Sequence, residues 1–219
     1  MTIESHHALS GFSGPGLFSS LGLSPQILAV LDRLHFKTPT PIQHQSIPAS
    51  LEGKDIIGVA QTGTGKTLAF GLPLIQRLQT MPGRGLILIP TRELALQVEE
   101  TIRKIGGSLG MPTAVLIGGE SMVRQVEALR RRPRIIVATP GRLLDHLQQG
   151  TVKLDDTKIL VLDEADRMLD MGFAPQINQI LRRVPRDRQT LLYSATMPTE
   201  IIHIAATHMK LPVRVEVAP

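Results

Sequence analysis

Eight consecutive residues, Ala60-Gln61-Thr62-Gly63-Thr64-Gly65-Lys66-Thr67, combine glycines, a lysine and hydroxyls at a spacing that suits phosphate binding. The glycines let the backbone curl so that successive N–H groups face a phosphate chain. A helix starting here adds the partial positive charge of its N-terminus. This is the pattern of a Walker A loop, with Ala60 where the pattern usually has Gly; Lys66 should reach the β- and γ-phosphates and the Thr67 hydroxyl should ligate magnesium. A second group, Asp163-Glu164-Ala165-Asp166, follows the apolar run Lys158–Leu162. A carboxylate at the carboxyl end of a buried strand is where magnesium needs an anionic anchor, a role that falls to Asp163, directly or through water. Glu164 is then placed to orient and deprotonate an attacking water. Either segment alone has a bland explanation, a turn that caps a helix or acidic residues at a helix start gaining about 0.3–1 kcal/mol from the dipole. Together they specify a magnesium-dependent NTPase whose catalytic candidates are Lys66, Asp163 and Glu164.

These groups need a scaffold that brings strand ends together. Short apolar runs at Asp55–Val59, Gly85–Ile89, Thr113–Ile117, Arg134–Ala138, Lys158–Leu162, Gln189–Tyr193 and Val213–Val217 alternate with helix-patterned segments such as Leu94, Val98, Ile102 and Ile105. The runs are rich in Val, Ile and Leu on both faces, as strands of a covered parallel sheet should be. Strand–helix alternation predicts an α/β domain, with a mostly parallel sheet of about seven strands and helices on both faces. Ligands of such sheets bind beyond the carboxyl ends of the strands. Ser24-Pro25 and Thr40-Pro41 each pair an N-cap with proline at the first helical position, predicting helices to Leu34 and to about Leu51. Met1 to Gly16 lacks apolar periodicity and reads as a flexible tail, leaving 17–219 as a single domain.

Composition narrows the partners. The chain of 219 residues has no cysteine, which removes disulfides, thiolate metal sites and cysteine nucleophiles. No apolar run approaches the roughly 18 residues of a membrane helix, and the first residues lack a signal-peptide pattern, so a soluble cytoplasmic protein without membrane partners is expected. A net charge of +5 mildly favours polyanions. Aromatic residues are only 3%, which disfavours base-stacking platforms and points to a sugar-phosphate backbone instead.

Asp163 to Asp166 spell the tetrapeptide that names the DEAD-box RNA helicases. The chain resembles that family at Phe36 to Gln43, Ala60 to Thr67, Pro90 to Leu94, Gly118-Gly119, Thr139 to Arg142 and Ser194-Ala195-Thr196, in the family's order, from about Phe18 to Pro219. The resemblance implies a RecA-like P-loop domain that forms the first lobe of an ATP-dependent RNA helicase, with a Q motif over 18–45, the Walker A loop at 60–67 and the DEAD box at 163–166. It implies ATP and Mg2+ as cofactors. Gln43 would read the adenine edge, Phe36 would pack against the base with Phe18 bracing the motif, and Lys37, Gln61, Thr62, Gly63, Thr64, Gly65, Lys66 and Thr67 would complete the nucleotide contacts. A carboxamide that donates and accepts at once matches adenine's amino group and N7; Thr40-x-x-Gln43 also fits a capping box, and the two roles need not exclude each other. His35 departs from the family, which usually has Gly there.

By the same resemblance Pro90, Thr91, Arg92, Gly118, Gly119, Thr139, Pro140, Gly141 and Arg142 would contact the RNA backbone. Two of these segments start helices, whose N-termini attract phosphate, and Arg92 and Arg142 either add charge-assisted bonds to it or hold loops internally. Such contacts carry little sequence information and weaken with salt. Asp166, Ser194 and Thr196 would link hydrolysis to strand separation, through a hydroxyl–carboxylate hydrogen bond. The run Arg130-Arg131-Arg132, with Arg134 nearby, instead closes a helix whose dipole it complements. The family's second, C-terminal lobe is expected to be missing. A monomeric fragment without its arginine residues would hydrolyse ATP poorly, since an arginine finger contributes about 10³–10⁵-fold. Two other readings remain open, another P-loop ATPase such as a DNA translocase, and a non-catalytic RNA- or protein-binding module.

Overall fold

The computed structural model describes residues 16–219; apart from Gly16, the tail expected over 1–16 lies outside the described residues. Seven strands form one sheet: β1 (Ile56–Val59), β2 (Arg84–Leu88), β3 (Thr113–Leu116), β4 (Ile135–Ala138), β5 (Thr157–Leu162), β6 (Gln189–Ser194) and β7 (Val213–Glu216). Every pairing is parallel, and the spatial order is β3-β4-β2-β5-β6-β1-β7. Each strand begins and ends within one residue of the run read from the sequence.

Successive side chains along a strand point to opposite faces, so a strand that is apolar throughout feeds two cores. In β5, Ile159 and Val161 enter one core while Leu160 and Leu162 enter the other; β4 divides Ile135 and Val137 from Ile136 and Ala138 in the same way. The first core is covered by α1 (Pro25–Arg33), α2 (Pro41–Leu51), α3 (Lys66–Gln79) and α4 (Arg92–Gly106). The second is covered by α5 (Met122–Arg130), α6 (Pro140–Gln148), α7 (Ala165–Asp170), α8 (Ala174–Leu181) and α9 (Thr199–His208).

Local signals place the helix ends. The Ser24 hydroxyl accepts from the Ile27 amide at 3.2 Å, as the Ser24-Pro25 pair predicts. The run Arg130 to Arg132 closes α5 as expected, but Arg134 belongs elsewhere. Its guanidinium donates to the carbonyls of Leu78, Met81 and Gly83 and so caps the far end of α3. The carboxylate of buried Asp55 accepts from the amides of Thr190 at 2.8 Å and Lys210 at 2.7 Å, tying the entrances of β1, β6 and β7 together.

The departure at His35 has a structural cost. α1 ends in a turn where the His35 amide donates to Asp32 and the Phe36 amide to Leu31, and His35 takes φ +64°, the left-handed region that favours glycine. A second close fit lies at Gly58 in β1, beside Tyr193 of β6. A Cβ at position 58 would overlap the Tyr193 ring, which is fully buried, packs against Phe70 at a centroid distance of 5.7 Å and bonds the Ser46 hydroxyl at 3.2 Å. Two unfolding experiments check these points. His35→Gly removes a left-handed cost of about 1–2 kcal/mol and adds glycine entropy of about 0.5–1, so denaturant titration should show a net gain of about 0.5–1 kcal/mol. Gly58→Ala should lose about 1–3 kcal/mol by overpacking, because the locked ring has nowhere to go.

Candidate functional site

The strand order sorts the sequence motifs into two neighbouring groups at the carboxyl edge of the sheet. β5, β6 and β1 are adjacent, so the DEAD box after β5, Ser194 to Thr196 after β6 and the phosphate loop after β1 share one half of that edge. β3, β4 and β2 are adjacent on the other side, and the segments that follow them are Gly118-Gly119, Thr139 to Arg142 and Pro90 to Arg92.

In the first half, the turn after β1 puts Gly63 at φ +82° and Gly65 at φ +87°, and α3 begins at Lys66. The Thr64 hydroxyl closes the turn by donating to the Gln61 carbonyl at 2.6 Å. Gln61, Thr62 and Gly63 are exposed and Thr67 is half-buried. Lys66 is buried, and its Nζ lies 3.4 Å from Glu164 Oε1, itself only 13% exposed. The expectation that the lysine and the acidic pair meet is therefore met in the geometry. Asp163 is also buried, and one of its oxygens accepts from the Glu164 amide at 2.9 Å. Burial pushes the Asp163 carboxyl up to about 7, with Lys66 working in the opposite direction and Glu164 adding to the rise. Glu164 stands at φ +54°, so its backbone turns sharply between β5 and α7.

A magnesium ion fits this donor set. Asp163 and the Thr67 hydroxyl offer hard oxygen atoms, and a divalent cation would relieve the desolvated carboxylate. Among the described residues no cluster of three or more His, Asp or Glu side chains forms a ready-made metal cage. Magnesium characteristically takes one or two carboxylates and completes its shell with phosphates and water.

Gln43, at the start of α2, is buried and makes one half of the capping-box pattern, its Oε1 accepting from the Thr40 amide at 2.9 Å, while the Thr40 hydroxyl has no partner among the described residues. The Gln43 amide nitrogen donates to the Gly65 carbonyl at 3.0 Å, so the same side chain also steadies the phosphate loop. These two bonds leave one amide hydrogen and one lone pair of Gln43 unused, so the capping role does not exclude a nucleotide contact. Phe18 is buried in a short 3-10 turn, while Phe36 and Lys37 are exposed between α1 and α2.

Asp166 and the residues after β6 form a closed set. The Asp166 amide donates to the Ser194 hydroxyl at 3.1 Å, and the Thr196 hydroxyl and amide donate to the Asp166 carboxylate at 2.9 and 3.1 Å. The expected hydroxyl–carboxylate bond thus comes from Thr196. Partial burial opposes ionisation of Asp166, but hydrogen bonds from the Thr196 and Ser194 side chains and from the Arg167 and Thr196 amides outweigh it and hold its carboxyl below the usual range. The Ala60 amide donates to the Ser194 carbonyl at 3.0 Å, which joins this set to the phosphate loop.

In the second half, Pro90, Thr91, Arg92, Gly118, Thr139, Gly141 and Arg142 line one groove of about 430 Å³, walled also by Asp145, Met171 and Phe173. Gly119 and Pro140 are their chain neighbours. The Thr91 hydroxyl caps α4 by accepting from the Leu94 amide at 3.3 Å, whereas the Thr139 hydroxyl makes no such bond to α6. Both arginines are engaged within the protein: Arg92 pairs with Glu120, and Arg142 donates to the Glu120 carbonyl at 3.0 Å and to Gln125 Oε1 at 3.2 Å.

Three residues of this half, Glu120, Gln125 and His146, gave no signal in the sequence. Buried Gln125 donates to the Ile117 carbonyl at 2.8 Å. A carbonyl only accepts, so the Gln125 oxygen must face His146 Nε2 at 2.8 Å, which therefore carries the proton; Nδ1 then accepts from the Thr151 hydroxyl at 2.7 Å. Burial, followed by nearby Arg142, lowers the His146 pKa, against a smaller pull from Asp145. These contacts join α5 and α6 to the residues that follow β3 and α6, and nothing in a lone Gln or His announces them.

Comparison with known proteins bears on this arrangement. Residues 40–204 match the family model described as DEAD/DEAH box helicase. The ATP-dependent RNA helicase CshA of Limosilactobacillus reuteri is 50% identical over 202 residues, which cover 91% of this chain and 41% of that protein. The ATP-dependent rRNA helicase rrp3 of Schizosaccharomyces pombe is 46% identical over 207 residues, covering 93% of this chain and 44% of that protein. The crystal structure of a DEAD box protein from the hyperthermophile Methanococcus jannaschii superposes with a TM-score of 0.88 at 39% identity, over 92% of this chain and 56% of that one. This chain thus spans less than half the length of the two helicases named here. With three quarters of its length inside the family model and its strand-end motifs gathered on one edge of the sheet, the chain belongs to the DEAD/DEAH box helicase family.

Proposed function

We propose that residues 17–219 form the ATP-binding lobe of an ATP-dependent RNA helicase, which binds ATP with Mg2+ and the RNA backbone and couples hydrolysis to duplex unwinding when joined to a second lobe of the same architecture. The observation that carries the reading is the meeting of Lys66 with Asp163 and Glu164 at the ends of β1 and β5. The names of the relatives, ATP-dependent RNA helicases, support the same reaction.

In this reading the amides from Thr62 to Thr67 cradle the phosphates at the N-terminus of α3, and Lys66 leaves Glu164 for the β- and γ-phosphate oxygens. Glu164, released from that pair, holds the attacking water and takes its proton. Thr67 and Asp163 would hold the magnesium ion, which would neutralise the negative charge that develops on the phosphates. Gln43 reads adenine while Phe36 and Lys37 close over the base, and Asp166, Ser194 and Thr196 carry the state of this half towards the groove. The groove residues take RNA through its phosphates, without reading sequence.

No helix among the described residues is long and apolar enough to cross a membrane. A cytoplasmic, monomeric lobe fits this proposal, with the second lobe and RNA as its partners.

Titration of this chain with ATP and MgCl2 tests the first step. Binding should favour ATP over GTP. Lys66→Ala should weaken it at least tenfold, while Gln43→Ala should mainly erase the base preference. Equal binding of both nucleotides by the unaltered chain would sink the adenine assignment. In the two-lobe protein, Glu164→Gln should retain ATP binding and lose RNA-stimulated hydrolysis by about 10²–10⁴-fold, the usual contribution of a general base; unchanged turnover would favour a non-catalytic module.

A further inference from the structure

An anion outside the groove attributed above to RNA already holds one of the cations that line it. Glu120 sits in the turn between β3 and α5, and its carboxylate holds the guanidinium of Arg92, with both side chains 45% exposed. The turn is fixed on both sides. Gln125 grips the Ile117 carbonyl behind it, and the Ser121 hydroxyl ahead of it accepts from the Arg124 amide at 3.3 Å to cap α5. Arg142 clasps the Glu120 carbonyl from the opposite wall at 3.0 Å. Gly119, at φ +77°, lets Arg92 lie against the bare backbone, because a Cβ there would come within 2.9 Å of Arg92 Nη1. The carboxylate is thus held beside the guanidinium by the geometry of the turn.

A guanidinium fork presents the same paired donors to a carboxylate as to a phosphate. We propose that Glu120 is an affinity-setting residue of the RNA groove: its carboxylate takes the place on Arg92 that an RNA phosphate would occupy, so that binding at Arg92 is an exchange of one anion for another. The inference rests on the reading of this groove as the RNA face. Two consequences follow from the exchange. The gain from the Arg92–phosphate contact is reduced by the pair that must break, an exposed pair of the kind measured at about 0.2–1 kcal/mol, or roughly 1.4- to 5-fold in affinity. Arg92 also adds little to counterion release, because its charge is already matched before RNA arrives.

The test is the dissociation constant of a fluorescent oligouridylate from this chain, measured across a series of KCl concentrations. Glu120→Gln should tighten binding by roughly 1.4- to 5-fold at low salt. It should also steepen the dependence of log K on log salt by about 0.7, the share of one phosphate contact on a single strand. Glu127→Gln makes the same charge change at an exposed position of α5 and should give a smaller gain without the change in slope. In an Arg92→Gln background the benefit of Glu120→Gln should fall to that of Glu127→Gln. Equal effects of the two glutamate variants, or a benefit that survives the loss of Arg92, would overturn the proposal while leaving the groove as the RNA face. If Arg92→Gln and Arg142→Gln both leave oligouridylate binding unchanged, or the unaltered chain and Glu120→Gln both fail to bind, the reading of the groove fails and this inference falls with it.

Discussion

The rest of the structure depends on keeping Lys66, Asp163 and Glu164 together, largely out of water, at the ends of two strands that are not hydrogen-bonded to each other. Charges removed from water cost several kcal/mol each unless partners compensate. The Lys66–Glu164 pair supplies part of that compensation, yet burial still pushes Asp163 up to about 7. Such a cluster is under-compensated by protein alone, and a phosphate chain with a divalent cation supplies the two charges that would balance it. In the proposed function, an anionic ligand and a cation arriving together would recover part of that desolvation cost.

A scaffold for such a cluster must be rigid, and the sheet provides this through strands buried on both faces. β6 is the spacer between β5 and β1, and strands lie about 4.8 Å apart, so the two motif-bearing ends stand about 10 Å from each other with Ser194 between them. That spacing lets a lysine from one end reach a carboxylate from the other. Asp55 and Gln189 tie the opposite ends of these strands, Gln189 by donating to the carbonyls of Ser50 and Lys54. The strands cannot slide without breaking buried hydrogen bonds, and register is therefore held at both ends of the sheet.

Strand positions were legible because fully apolar runs of four to six residues have few other uses, and the motifs announced themselves because phosphate and magnesium demand particular residues at particular spacings. The helix at Ser24-Pro25 was equally plain, since the cap and the proline are local signals. The sheet order was hidden, because it depends on crossovers whose lengths do not encode which neighbour a strand chooses. So was the role of Arg134, which reads as one more cation of an arginine run and instead caps α3 some fifty residues earlier in the chain. Gln125 and His146 were invisible for a related reason: their partners lie 5 to 21 residues away, in other elements or in the turns beside them. Gln43 was partly legible, because its spacing from Thr40 showed the capping box, while its bond to Gly65 exists only once α2 packs on α3.

That bond, together with the one between Ala60 and Ser194, makes the phosphate loop a mechanical junction rather than an isolated turn. Gln43 holds it from the α2 side and β6 holds its first residue from the sheet. Ser194 in turn receives the amide of Asp166, whose carboxylate is taken by Thr196. A change in the loop's backbone must therefore be absorbed either by α2, which carries Gln43, or by the turn that follows β6. The groove lies on the far side of β5, and β2 is the strand that touches both halves, with Leu88 accepting from the Asp163 amide at 2.9 Å just before Pro90 opens the groove. A displacement of Asp163 thus has a path of two hydrogen-bonded strands to Arg92. Because packed strands shift together instead of bending, the shortest route from the phosphate site to the groove is the sheet itself.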